Sequence, residues 1–277
     1  MIKTIDVKSG DNAELYKYLS SAITPRPIAF VSTINKNGSK NLSPFSFFNV
    51  FSVNPPILIF APVRRIRNNT SKDTLENVKQ INECVISIVT ENIDQQVSLS
   101  SCDYDADINE FEKAGFTELK SDLIKPSRIK ESPINFECKV NKIIDLGTEG
   151  GSGSLVLCEV LKMHINKSIL NEFNDIDPFK LNVVSRLGAN WYGKTTKDSL
   201  YEIAKPISKK GMGFDNLPSH IRNSKILTGN ELAILASREV PPKKSKINNN
   251  LSIDEKHLKA KKYLSEGKYE KAWQILI

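Results

Sequence analysis

ITPRPIAFVSTINKNGSKNLSPFSFFN, residues Ile23 to Asn49, sets Pro25 and Pro27 directly ahead of a dense apolar run. The prolines fix φ and remove ladder donors, so the chain enters as a stiff, extended lead into Ile28 to Ile34. That run is apolar at nearly every position, which predicts a strand buried on both faces. Asn37-Gly38 tolerates positive φ and predicts a hairpin whose return strand begins near Asn41. In the return, Asn41, Ser43, Ser46 and Asn49 interleave with Pro44, Phe45, Phe47 and Phe48. Hydrogen-bonding groups beside flat apolar surface suit a planar heteroaromatic ligand that carries a phosphate. They also suit a sheet with solvent-facing serines and core phenylalanines, and this stretch alone leaves both readings open.

Two later stretches bear on that choice. Asn54-Pro55-Pro56 leads into the strand-like Ile57 to Phe60, with Arg64 and Arg65 close behind. Ser71-Lys72-Asp73-Thr74 precedes the helical spacing of Leu75, Val78 and Ile81. A helix start presents orphaned N–H groups and the positive end of a dipole, so a lysine and hydroxyls there suit a phosphate. Simple capping by Ser71 or Asp73 is the competing reading.

These segments form an ordered set: TPRPIAFVSTIN (Thr24 to Asn35), NLSPFSFFN (Asn41 to Asn49), NPPI (Asn54 to Ile57) and KDTLEN (Lys72 to Asn77). ESPINFECKV (Glu131 to Val140), RLG (Arg186 to Gly188), GFDNLPSHIRNS (Gly213 to Ser224) and LTGNELAILAS (Leu227 to Ser237) continue it. In these motifs the chain resembles, from Thr4 to Pro242, the flavin reductase-like family of FMN-binding split barrels in its longer, flavoredoxin-like form. The resemblance implies a mainly β fold with peripheral helices, an FMN-binding split β-barrel, and FMN contacts from Thr33, Ser43, Ser46, Phe47, Lys72 and Thr74. It places Thr24, Arg26 and Asn41 near the ring or its polar edge, with Pro27, Ala29, Phe45 and Phe47 as apolar walls. It also implies a homodimer with the flavin site at the two-fold contact.

The implied activity is that of an oxidoreductase. Electrons would pass from NADH or NADPH as transient donor, or from a redox protein, through FMN to free flavin, an iron-sulfur protein or ferric iron. Short relatives often carry Gly-Asp-His before the last barrel strand, where this chain has Gly151-Ser-Gly-Ser154, so either donor stays open. The competing function is a non-catalytic flavin-binding scaffold whose C-terminal helices recruit a partner. A pyridoxamine-phosphate oxidase relative would share the barrel, but the motifs beyond Glu131 speak against it.

Composition narrows the field further. The 277 residues are 39% hydrophobic and 26% charged, as in globular proteins. No apolar run approaches the ~20 residues of a spanning helix, and the opening MIKTIDVKSGDNAELYKYL carries charges where an export signal is apolar. A cytoplasmic protein without membrane contact is expected. The net charge of +7 is mostly local: from Pro241 onward nine lysines and four acids give 9 − 4 = +5, leaving +2 for the body. Nucleic acid is therefore not an expected partner. Cys84, Cys102, Cys138 and Cys158 are widely spaced and predicted to be free, buried thiols. His164, His220 and His257 share no ligand spacing, so no metal is expected.

Along the rest of the chain, Leu15 to Leu19 suits a short helix and Glu83 to Thr90 a strand. Asn92 to Ser101 suits a helix, and the acidic CDYDADINEFEKAG around Asp103, Asp105 and Asp107 a solvated, partly helical loop. Phe111, Phe116 and Leu119 are expected to anchor a cover segment, of the kind that lies over a ligand in the family. Ile134 to Ile144 and Leu155 to His164 read as strands joined by the glycine-rich Gly147 to Gly153. The domain plan is a barrel with its family extension over 1–240, a polar linker over 241–250 and a basic helical hairpin over 251–277, broken at Gly267. Such a hairpin cannot bury its apolar stripe alone, so it is expected to dock on the barrel, a second subunit or a partner.

Overall fold

The structure is a computed structural model that describes residues 1–8, 11–203, 210–242 and 251–277. It contains two compact units, Met1–Leu200 and Tyr201–Ile277. Most of the expected linker and of the Pro-broken segment before Lys210 lies outside the described residues.

The first unit begins with α1 (Asn12–Ala22), β1 (Ala29–Ile34), β2 (Lys40–Phe45), β3 (Phe48–Val53), β4 (Pro56–Phe60), α2 (Asp73–Gln80) and β5 (Glu83–Ile88). It continues with α3 (Asp94–Leu99), α4 (Glu110–Ala114), β6 (Glu118–Leu119), β7 (Arg128–Ile129), β8 (Ile134–Asp145), β9 (Ser154–Ile165), α5 (Pro178–Leu181), β10 (Val184–Arg186) and β11 (Tyr192–Lys194). Seven strands form one antiparallel sheet in the order β2-β1-β5-β8-β9-β4-β3. The predicted hairpin is present, with Gly38 at φ +89° in the reversal and Thr33 opposite Asn41. The expected return strand is split at Ser46-Phe47, where the chain leaves β2 at one sheet edge and starts β3 at the other.

The sheet curls on itself. Ala29, Val31, Phe45, Phe60, Ile86, Cys138 and Val156, from six strands, share one apolar cluster with Leu75 and Val78 of α2. Phe45 and Phe60 come from strands near opposite ends of the order, yet their ring centroids are 5.2 Å apart. Burial of the alternate faces of curved strands is what closes an antiparallel barrel. Cys84, Cys138 and Cys158 are free thiols in this core, whereas Cys102 is exposed.

β1 is buried on its outer face as well. Ile28, Phe30 and Leu42 pack against Ile93, Val97, Phe111, Ala114 and Phe116, with Phe116 edge-on to Phe30 at 5.1 Å. The acidic segment is thus a lid on the outside of β1 and β2, where its two phenylalanines bury most area; Leu119 is exposed. That placement corrects the expectation that all three anchor a cover over a ligand.

The second unit holds α6 (Ser219–Arg222), α7 (Gly229–Ala236), α8 (Ile253–Ser265) and α9 (Tyr269–Leu276). α7 and α8 each start with a capping box, Thr228 with Glu231 and Ser252 with Glu255, and Gly267 at φ +69° turns α8 into α9. Ile221, Leu232 and Leu235 share one cluster with Ala260, Leu264, Ala272 and Trp273. The helical hairpin therefore buries its stripe against 212–236. The sequence reading draws the domain boundary at 240; packing draws it after Leu200, because a two-helix stripe needs that third layer. Among the described residues no helix is long and apolar enough to cross a membrane.

Phe60 is fully buried where the barrel closes. Phe60→Ala should cost about 3–5 kcal/mol in urea unfolding; a loss below about 1 kcal/mol would show that the Phe45–Phe60 contact does not hold the barrel shut.

Candidate functional site

Where β2 ends, Pro44, Phe45 and Phe47 join Tyr16 of α1 and Ala61 and Val63 beyond β4 around a hollow of about 300 Å³. Its polar edge is formed by Ser46, Arg64, Arg65 and Lys72. A second hollow of about 380 Å³ adjoins it, because Phe47, Ala61 and Val63 line both. Phe51, Ile59, Leu146 and Leu155 make that second space apolar.

The polar edge has one uncommitted cation. Lys72 is the N-cap of α2, its side chain caps nothing, and among the described residues its ammonium makes no ion pair or hydrogen bond. Burial, then the Arg65 guanidinium, push that ammonium below its ordinary value, although Asp73 opposes them. Beside it the Ser71 hydroxyl is buried without any partner. Arg65, by contrast, is fully engaged. It donates to Ser71 O (2.7 Å), Thr70 Oγ1 (3.1 Å) and Asp103 Oδ1 (2.7 Å), and Arg67 also pairs with Asp103. Arg64 donates through Nε to Asn69 Oδ1 at 2.7 Å. The arginines thus shape the turn into α2, leaving Lys72 on the hollow at a helix start without a side-chain cap, a place that favours an anion.

Behind this edge lies a buried polar network. Asn41 Oδ1 accepts from Thr74 Oγ1 (2.6 Å) and Thr33 Oγ1 (3.4 Å), and its Nδ2 donates to Glu110 Oε1 (2.9 Å). Asn77 Nδ2 donates to Thr33 Oγ1 at 3.1 Å, and Leu42 N donates to Glu110 Oε2 at 3.0 Å. Burial raises the Glu110 carboxyl above its ordinary value, with the Leu42 and Asn41 hydrogen bonds opposing the shift. The network fixes the first turn of α2 against β1 and β2.

Arg26 plays a similar role at the other side. It is 6% exposed and donates to the carbonyls of Ser20 and Ile23 at the end of α1, to Leu187 O (2.9 Å) and to Ser46 Oγ (3.4 Å). Its guanidinium lies 5.9 Å from the Phe47 ring. A cation on the last carbonyls of a helix is favoured by the dipole.

Residues 20–178 match the model of the flavin reductase like domain. The chain is 37% identical over 188 residues to an uncharacterised protein of Aquifex aeolicus, covering 68% of this chain and 93% of that one. It belongs to the flavin reductase-like family. Among solved structures, it is similar to nitrilotriacetate monooxygenase component B from Bacillus cereus, with a TM-score of 0.68 and 27% identity, over 73% of this chain and 99% of that one. Pseudomonas fluorescens 2-nitrobenzoate 2-nitroreductase NbaA gives a TM-score of 0.67 and 29% identity, over 76% and 100% of the two chains. The first unit is therefore a split barrel of this family.

Of the residues chosen from sequence within the family pattern, Ser46, Phe47 and Lys72 line the hollow. Arg26 braces it from behind. Thr33, Asn41 and Thr74 are mutually bonded in the buried network, and Ser43 shares the Asn41 and Phe45 face of β2 without lining the hollow. Thr24 is exposed and Pro27 half-buried, and neither lines it. Ser71 belongs to the helix-start motif beside Lys72, whereas nothing local in the sequence marks Tyr16 or Glu110.

One group of three ligating side chains occurs among the described residues: Asp122, Glu137 and His164. Glu137 accepts from Asp122 N, Leu123 N and His164 Nε2, and Lys162 and Arg128 flank the carboxylates. Internal cations already compensate this cluster.

Asn41→Ala should leave the Thr74 hydroxyl without its acceptor and Glu110 Oε1 without its donor, and lower stability by about 1–3 kcal/mol in urea unfolding. A neutral result would mean that the network does not hold α2.

Proposed function

We propose that this protein is a cytoplasmic, FMN-binding oxidoreductase that passes electrons from NADH, NADPH or a redox protein to a second acceptor, namely free flavin, an iron-sulfur protein or ferric iron. One observation carries the reading: an uncommitted, half-buried lysine, an orphaned buried hydroxyl and an uncapped helix start meet beside a hollow walled by Pro44, Phe45 and Phe47. That donor set fits a phosphate monoester, and those walls fit a flat ring system. FMN, when bound, supplies the hydride acceptance and electron transfer.

The chain's own groups bind and orient. Lys72 Nζ, Ser71 Oγ and the first N–H groups of α2 hold the phosphate. Ser46 Oγ accepts from Arg26 Nε, so its own proton is free to donate toward the ring's polar edge. The adjoining apolar hollow gives a second reactant room beside the ring, where donor and acceptor atoms must approach to ~3–3.5 Å. Family membership supports the redox assignment; the Gly151 to Ser154 departure keeps a protein donor beside NAD(P)H in the proposal.

Edge strand β3 exposes Val50, Phe51 and Val53, and Phe51 also lines the second hollow. An unpaired apolar edge of this kind is covered in a working protein, and we assign that role to a second copy.

Lys72→Met should weaken FMN binding about ten- to a hundredfold, as for loss of a charged hydrogen bond, and leave riboflavin affinity unchanged. The ammonium attracts phosphate only while protonated. Wild-type affinity for FMN should therefore fall as pH rises through the lowered Lys72 value, and Lys72→Met should not show that fall. Equal weakening of FMN and riboflavin would overturn the phosphate assignment. Turnover decides the activity: a flavin-loaded preparation that neither oxidises NADH or NADPH with added flavin or ferricyanide nor accepts electrons from a ferredoxin would exclude it. Phe51→Asp should convert a dimer to monomer in sedimentation; a wild-type monomer that binds FMN would refute the two-copy arrangement.

A further inference from the structure

The second unit carries a polar group that the barrel chemistry does not use. His257, on α8, is 2% exposed, and its Nδ1 lies 2.8 Å from Ser224 Oγ. Ser224 Oγ already accepts from Ile226 N (3.1 Å) and Leu227 N (3.0 Å). A hydroxyl oxygen has two lone pairs and one proton, so Ser224 can only donate to His257. Nδ1 is therefore the bare nitrogen and Nε2 carries the hydrogen. That Nε2 is buried and has no partner. Burial, then the nearby His220, push the imidazole below its ordinary value, although Asp254 opposes them.

An orphaned buried donor is costly unless something accepts from it. His257 lines a cavity of about 640 Å³ together with His220, Lys256, Ile253, Leu276 and Ile277. His220 Nε2 is 3.1 Å from Leu276 O and so donates to it. Among the described residues the Lys256 ammonium makes no ion pair or hydrogen bond, and the side chains of Pro242, Ile253, Leu276 and Ile277 are apolar. Among the described residues the wall thus holds the unpartnered His257 N–H, the Lys256 ammonium and aliphatic surface. The unit lies wholly beyond the residues that match the family domain.

We propose that this cavity is a binding site for a small organic acid, with its carboxylate on His257 Nε2–H and Lys256 Nζ and an apolar body against Ile253, Leu276 and Ile277. The site is independent of the flavin reading.

The test is a titration of full-length protein, labelled with ¹⁵N-histidine, with octanoate and separately with inorganic phosphate. Octanoate should shift the His257 Nε2–H resonance saturably. Lys256→Ala, a half-buried position that should leave the fold intact, should weaken that binding about tenfold, as for loss of one charge-assisted hydrogen bond. Phosphate should bind more weakly than octanoate, because it lacks an apolar body. Three results would overturn the proposal: no saturable shift in folded protein, equal affinity for phosphate and octanoate, or unchanged octanoate affinity in Lys256→Ala.

Discussion

The Asn41 carboxamide is the joint on which the first unit's site is built. Its oxygen accepts from Thr74 on α2 and Thr33 on β1, and its nitrogen donates to Glu110 on α4. One side chain thus bonds to three elements at once, and Asn77 to Thr33 and Leu42 N to Glu110 reinforce the same junction. Apolar packing is tolerant of rotation and sliding; hydrogen bonds in a buried place are not. The start of α2, whose N-cap Lys72 lines the hollow, is tied to β2 by this joint.

The cations around the hollow divide their tasks by chemistry. A guanidinium has five donors in a planar fork and can tie several carbonyls and carboxylates at once. Arg26 and Arg65 are used in that way, each holding a turn or a helix end. An ammonium is a compact charge on a flexible stem, suited to follow a ligand. Lys72 is left without a protein partner, and its neighbours Arg65 and Arg67 are partly neutralised by Asp103. Among the described residues, Lys72 and Arg64, whose guanidinium bonds only to Asn69, thus carry the positive charge at the mouth that Asp103 does not offset.

Much of this was legible in the sequence, and the limits are physical. The prolines, the unbroken apolar run and Asn37-Gly38 place β1 and its hairpin because those signals are local. Lys72 at a helix start was legible for the same reason. Thr33, Asn41 and Thr74 are expected at the ligand from the family pattern, and the structure bonds Thr33 and Thr74 to Asn41. A hydroxyl or carboxamide beside apolar residues has the same signature whether it meets a ligand or another side chain. Only long-range pairing separates the two, as with Asn41 and Glu110, and no local pattern contains it. The second unit shows the same limit: the stripe on α8 and α9 was visible, but its partner segment 212–236 was not.

The acidic segment 102–116 illustrates how a stretch that looks merely solvated can govern a site without touching its contents. Phe111 and Phe116 fasten it to the outer face of β1 and β2. From that anchorage Asp103 reaches Arg65 and Arg67 at the mouth, and Glu110 reaches Asn41 and Leu42 behind it. One carboxylate therefore sets how much positive charge the mouth presents, and the other sets where the helix start points. Both depend on the same two buried rings. A change that loosened the rings would weaken charge balance and helix orientation together, whereas a change at either acid would alter one alone. Position and polarity at the hollow are in this sense a single property of the segment packed against the barrel's far face.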